Sequence, residues 1–318
     1  MGSTLSLPAT AAAAADAEPR VTPASAPTGP TPPSSPPETT ASGNDDALQT
    51  AQKQALPQQQ QQLTPPPSPP PNTYTFPTKK LKRRLTQPGK TPLVLVACGS
   101  FSPITKLHVQ MFELATRHIP RTKFEIVGNY LSPCSDAYNK SSLVPAHHRL
   151  QMCTLAVDNL ATTAIQVDDW EATRVDAAGR PLYSRTADVL RHFDSAINDD
   201  LGGIESCDGS SKSPARIMLL IGADLALTMS NPKVWAPADI DVLLGYYGAF
   251  IVERPHQCAI RDAVAPLSRY KDNIWVVDSF ENDISSTKVR AQIQNREQSM
   301  DIPGAVFKYI KTHRLYLE

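Results

Sequence analysis

A chain of 318 residues has room for two domains, yet 30 prolines and an aromatic content of 6% mean that not all of it can pack a core. Its formal charge of +0 supplies no whole-chain attraction to nucleic acid or to a membrane surface, so no nucleic-acid partner is expected and basic segments are judged locally. Five scattered cysteines without a Cys-x-x-Cys pair argue against a disulfide framework or zinc site and fit a reducing compartment, and no apolar run approaches the roughly 18 residues of a membrane span.

Residues 1–90 read as a disordered tail, with an alanine run, the tract Gln58 to Gln62 and the proline cluster Pro65 to Pro71. Such a segment buries too little apolar surface to offset the entropy of ordering it. Within it, Lys79-Lys80-Leu81-Lys82-Arg83-Arg84 is a compact basic cluster. It reads as a nuclear import address ahead of a phosphate-binding patch or a solubilising run, so residence in the nucleus, the cytoplasm or both is expected. Met1-Gly2-Ser3-Thr4-Leu5-Ser6 also fits the short myristoylation pattern.

From about residue 91 to 318, strand-like and helix-like segments alternate. Pro92 to Cys98 is an apolar strand, and Leu107, Met111, Leu114 and Ala115 mark one face of a helix after it. Lys123 to Tyr130 predicts a strand, Pro145 to Val157 a helix with proline in its first turn, and Ile165 to Asp168 a short strand. A helix capped by Ser184 is predicted over 184–197, and the Gly, Ser and Asp of residues 198–214 predict a mobile insertion. Strands at Arg216 to Ile221, Ala249 to Glu253 and Asn273 to Val277 follow, with helices begun at Gly222 and Ala236. This alternation predicts an α/β fold, a doubly wound parallel sheet covered on both faces. Ligands in such sheets bind beyond the carboxyl ends of the strands, where Gly99, Asp168, Gly222, Arg254 and Asp278 fall.

Two stretches carry candidate chemistry. Gly99-Ser100-Phe101-Ser102-Pro103-Ile104-Thr105-Lys106-Leu107-His108 is a strand-to-helix turn whose backbone amides and helix start favour an anion, with His108 in reach; equally, it could be an ordinary turn with an ordinary helix histidine. Ile284-Ser285-Ser286-Thr287-Lys288-Val289-Arg290 places Lys288 and Arg290 in the first turn of a helix capped by Ser285 or Ser286. Cations there oppose the helix dipole unless a polyphosphate is bound. Neither a Gly-x-Gly-x-x-Gly fingerprint nor a Gly-x-x-x-x-Gly-Lys-Ser/Thr loop occurs, so the phosphate site is of another kind.

These two stretches resemble the paired signatures of nucleotidylyltransferases, and closely those of eukaryotic nicotinamide/nicotinate-nucleotide adenylyltransferases, with a Rossmann-like fold. Asp136-Ala137-Tyr138-x-Lys140, Pro145-Ala146-x-His148-Arg149, Asp169-Trp170-Glu171, Gly222-Ala223-Asp224-Leu225 and Val234-Trp235 are similar to the family's pattern in its order, over about residues 93–317. The resemblance implies adenylyl transfer from ATP to nicotinamide or nicotinate mononucleotide, giving NAD or its deamido form and pyrophosphate. It implies that Gly99, Ser100 and Phe101 hold the reacting phosphates and that His108 donates to the α-phosphate. Ser285, Ser286, Thr287, Lys288 and Arg290 would take the rest of the triphosphate, with Mg²⁺ bridging its oxygens. Tyr138, Lys140 and Thr173 match mononucleotide positions, Trp170, Val234 and Trp235 a pyridine-ring slot, and Gly222, Asp224, Arg254 and Asn282 the remaining nucleotide lining. A homo-oligomer is also implied. The rival readings are a nucleotidylyltransferase for pantetheine phosphate or a polyol phosphate, and a binding or chaperone module on the same fold.

Overall fold

The computed structural model describes residues 74–158, 160, 163–253, 260–277, 284–297, 299 and 301–317. Residues 1–73, Arg254, Asp278 and Asn282 lie outside the described residues. The chain runs β1 (Thr91–Gly99), α1 (Lys106–His118), β2 (Phe124–Pro133), α2 (Ala146–Val157), β3 (Gln166–Val167), α3 (Trp170–Thr173), α4 (Thr186–Asp194), β4 (Ile204–Glu205), β5 (Lys212–Ser213), β6 (Arg216–Gly222), α5 (Ala223–Thr228), α6 (Pro237–Ile240), β7 (Ala249–Val252), α7 (Ile260–Val264), β8 (Ile274–Val277), α8 (Ser286–Gln294) and α9 (Gly304–His313). No helix among the described residues is long and apolar enough to cross a membrane.

Six strands form one sheet in the order β3-β2-β1-β6-β7-β8, every pair parallel, as the alternation predicts. The side-chain period of two explains why the central strands read as unbroken apolar runs: Leu93 and Leu95 of β1 enter one core and Val94 and Val96 the other. Met218 and Leu220 of β6 face the first core, while Ile217, Leu219 and Ile221 face the second. Helices α1, α2, α8 and α9 cover the first face, through Phe112, Met152, Val289 and Ile310. On the opposite face α4, α5 and α7 contribute Phe193, Ala226 and Ala263. The strand order reverses between β1 and β6, and Gly99 and Gly222 end those two strands, so a crevice opens at their carboxyl ends.

Three boundaries differ from expectation. Residues 74–90 belong to the domain rather than to a tail. Leu81 and Leu85 are buried in the second core, Lys82 N–H donates to Val127 O at 2.8 Å, and Leu85 N–H to Glu205 O at 2.9 Å. Of the basic cluster, Lys80 is drawn in with them, its Nζ donating to Ile165 O at 2.7 Å, whereas Lys79, Lys82, Arg83 and Arg84 stay exposed, Arg84 pairing with Glu205 at 2.8 Å. Within 198–214, residues 198–200 continue a π-helical stretch begun at Ser195, and β4 and β5 pair as a short antiparallel hairpin whose Asp208 carboxylate accepts from Ser206 and Ser210; those bonds hold the carboxyl down at about 2. Helix α4 starts at Thr186, because Ser184 Oγ accepts from Arg174 at 2.8 Å instead of capping it.

Gly128 shows how closely the 74–90 arm is fitted. The β1–β2 register shifts beside it, and a Cβ on Gly128 would sit 2.9 Å from the Tyr130 ring and 3.1 Å from Leu81 Cδ1. Both neighbours are buried, so overpacking of this kind costs about 1–3 kcal/mol. Gly128→Ala is expected to lower the denaturant midpoint with an unchanged m-value; an unchanged midpoint would mean that the arm does not press on β2.

Candidate active site

The turn after β1 is shaped by its own side chains. Phe101 adopts a positive φ of 44° and is buried, and its ring lies where a Cβ on Gly99 would be, 3.2 Å away. That close approach, rather than a left-handed backbone, is what favours glycine at 99, since a Cβ there would press the Phe101 ring outward by a few tenths of an ångström. The Phe101 ring meets His108 edge to face at 5.2 Å.

His108 stands at the third position of α1, where a capping box ordinarily carries Glu or Gln. Thr105 N–H donates to His108 Nδ1 at 3.0 Å, and Thr105 Oγ1 lies 2.8 Å from the same nitrogen. A backbone amide can only donate, so Nδ1 accepts and the ring proton resides on Nε2. Buried Thr105 thereby fixes His108 as a donor.

The second stretch closes onto this turn. Ser285 caps α8 by accepting from Lys288 N–H at 3.2 Å, whereas Ser286 Oγ donates to Pro103 O at 2.8 Å. Arg290 Nη1 donates to Ser102 O at 2.9 Å, and its Nη2 to Thr287 Oγ1 at 3.1 Å. Residues 183 and 188 positions apart are thus joined by two hydrogen bonds. One guanidinium edge of Arg290 and the Ser286 hydroxyl hold the turn, so both residues organise the site, and Arg290 also brings a charge to it.

Beside the turn, at the crevice between β1 and β6, lies a cavity of about 490 Å³. Of the expected residues, Gly99, Ser100, Tyr138, Lys140, Val234 and Trp235 line it. Trp235 is oriented by its indole N–H, which donates to Thr228 Oγ1 at 3.0 Å. Trp170 does not line this cavity: its ring stacks on His192 at 4.2 Å, nearly coplanar, with the Arg174 guanidinium 4.5 Å from its centre. Thr173 donates its hydroxyl to Asp169 O and is likewise outside the wall, and Gly222 and Asp224 begin α5 at the end of β6.

The wall also holds residues that sequence reasoning left without a role. Tyr183 stacks on Tyr138 with ring centres 6.4 Å apart, and Arg185 reaches Asp239 at 3.3 Å. Glu171 is buried and accepts from Ser132 Oγ at 3.3 Å; burial pushes its carboxyl up to about 7 against that bond. Burial likewise pushes the Cys134 thiol up to about 11 and that of Cys98 well above its usual value, so neither is a thiolate nucleophile at neutral pH. Behind the wall, the fully buried Arg149 donates to Val144 O at 2.9 Å and Ser100 O at 3.2 Å and pairs with Asp136 at 2.7 Å. It ties the phosphate-type turn to the loop that carries Tyr138. Arg149 and Glu171 stand inside motifs read from the sequence, but their burial is a property of the fold. Among the described residues, no group of three or more His, Cys, Asp or Glu side chains is placed to hold a metal.

A parallel sheet with two joined helix starts and a polar, aromatic cavity at its switch point defines a nucleotide-binding α/β protein. A profile of the cytidylyltransferase-like family matches residues 96–292. The chain is 44% identical over 252 residues to nicotinamide/nicotinic acid mononucleotide adenylyltransferase 1 of Saccharomyces cerevisiae, covering 77% of this chain and 60% of that protein. It is 32% identical over 265 residues to the Bos taurus protein of the same name, covering 71% and 89%, and 34% identical to the Oryza sativa enzyme, covering 76% and 94%. The chain spans 60% to 66% of the length of the two yeast proteins with the 44% identities. Among solved structures, Plasmodium falciparum nicotinic acid mononucleotide adenylyltransferase complexed with NaAD is similar at a TM-score of 0.53 and 17% identity, over 71% of this chain and 97% of that one, a likeness of fold. The chain therefore belongs to the cytidylyltransferase-like family and, within it, to the nicotinamide/nicotinic acid mononucleotide adenylyltransferases.

Glu171 yields a pH prediction. Folded, it keeps a proton that the unfolded chain releases from about 4.5 upward, so its contribution to stability falls as pH rises from there to about 7 and stays low above. Between pH 5 and pH 8, Glu171→Gln is expected to gain roughly 2–3 kcal/mol of stability relative to wild type. A pH-independent difference would show that Glu171 titrates normally.

Proposed function

We propose that this protein transfers the adenylyl group of ATP to nicotinamide or nicotinate mononucleotide, releasing pyrophosphate and forming NAD or deamido-NAD. The observation that carries the reading is the joint between the two motifs, Ser286 and Arg290 bonded to Pro103 O and Ser102 O, beside a histidine fixed as an Nε2 donor. Kinship with mononucleotide adenylyltransferases supports the choice of substrates.

The reaction joins two anions. The mononucleotide phosphate attacks the α-phosphorus of ATP in line, the bond to the bridging oxygen breaks, and pyrophosphate departs with that electron pair. Positioning and charge neutralisation carry the rate, with no covalent enzyme intermediate. Amides of Gly99 and Ser100 would hold the reacting phosphates, His108 Nε2–H would donate to the α-phosphate as charge grows there, and Thr287, Lys288 and Arg290 would face the departing pyrophosphate. Tyr138, Lys140 and Trp235 would receive the mononucleotide in the cavity they line. The hydroxyls and cations of α8's first turn suit Mg²⁺ entering on ATP's own oxygens. When bound, the ion would neutralise phosphate charge.

The test offers purified full-length protein MgATP with nicotinamide mononucleotide, nicotinate mononucleotide, pantetheine phosphate and a polyol phosphate in turn. NAD or deamido-NAD is the expected product, and product from another acceptor alone would overturn the assignment. His108→Ala is expected to lower kcat by about 10²–10³ with the fold intact, the usual loss for one donor to a developing charge. Unchanged turnover in that variant would remove His108 from the chemistry, and no product from any acceptor would favour a binding module.

A further inference from the structure

The arm ahead of β1 ends on the substrate side of the sheet. Tyr74 O–H donates to Asp168 Oδ1 at 2.5 Å, and the same oxygen lies 2.9 Å from His192 Nε2. Tyr74 has one proton to give and a carboxylate to take it, so its oxygen accepts from His192 Nε2–H and the three groups form a directed chain. Asp168 is fully buried at the end of β3, directly before the short helix α3, and its other oxygen has no hydrogen-bond partner among the described residues. His192 in turn lies flat on Trp170, the first residue of α3, and Glu171 of the same helix lines the cavity. Phe76 packs on His192 and Phe193, and Tyr130 O–H donates to Pro77 O at 3.0 Å, which anchors the arm just after Tyr74. Burial, and then Asp168, hold the Tyr74 phenol far above its ordinary value, so it stays a donor at every pH at which the protein is folded.

We propose that Tyr74 is a positioning residue for the mononucleotide cavity: through Asp168 and His192 it holds helix α3, and with it Glu171, in the orientation that receives substrate. This rests on the function proposed above. The arm acts on that half of the site without itself touching substrate. Where Tyr74 is lost, α3 must be reordered on mononucleotide binding, which weakens the binding of that substrate and leaves the ATP end unaffected.

Tyr74→Phe in the full chain keeps the ring packing and removes the donor alone. It is expected to raise KM for the mononucleotide roughly five- to tenfold, about the net worth of one ordinary intramolecular hydrogen bond felt through α3, with KM for ATP and kcat within about twofold. Amide hydrogen exchange over 168–173 is expected to quicken in parallel. Arg84→Ala, which breaks the arm's distant ion pair with Glu205, is the control and leaves both KM values unchanged. An unaltered mononucleotide KM in Tyr74→Phe, or an equal change in both KM values, would overturn the positioning role. If wild type made no NAD or deamido-NAD, the failure would belong to the proposed function instead.

Discussion

Two loop carbonyls, those of Ser102 and Pro103, are taken by a helix that begins more than 180 residues later, and the site depends on that junction. Both helix starts that meet there, α1 and α8, carry partial positive charge, and Lys288 in the first turn of α8 and Arg290 just past it add full charges. A cation so placed costs about 0.3–1 kcal/mol. A hydrogen bond to a charged group is worth about 1.5–3 kcal/mol, so Arg290's bond to Ser102 O outweighs the local repulsion and holds the pair shut. The surplus positive potential is left to an anion. A polyphosphate is the ligand whose charge and length suit two adjacent helix starts.

The sheet makes that junction possible. Because β1 and β6 are neighbours pointing the same way, the turns that leave them open on one rim, and the return of the chain past β8 brings α8 onto the face already covered by α1. Both faces of the sheet are dry, so neither helix can slide without exposing residues such as Phe112 or Val289 to water. Arg149 fulfils the same office on the cavity side, where a fully buried charge bonded to Ser100 O, Val144 O and Asp136 leaves the loop a single arrangement.

Much of this was legible in the residues. The apolar strand runs, the glycine turn after β1 and the Ser-Ser-Thr-Lys stretch each follow from local rules, because periodicity and capping act over a few residues. The arm was not legible. Its contacts are backbone bonds and single side chains reaching distant partners, Tyr74 to Asp168 across 94 positions among them, and nothing in a proline-rich, basic segment announces them. The Gly, Ser and Asp of residues 206–210 spell a loop, but that Asp208 gathers three donors there is a property of the folded turn. Trp170 and Trp235 illustrate the same limit: residue type promised two ring-binding faces, while packing gave one of them to His192. The raised carboxyl of Glu171 likewise comes from burial that no spacing encodes.

The most direct test of the joined-motif account is a crystal structure of the full chain with Mg²⁺ and a non-hydrolysable ATP analogue. The account predicts the α-phosphate within hydrogen-bond distance of His108 Nε2, with the remaining phosphates against the first turn of α8 and the bonds from Ser286 and Arg290 to the 102–103 carbonyls retained. A triphosphate bound elsewhere on the sheet, or a His108 ring turned away from it with the junction open, would contradict it.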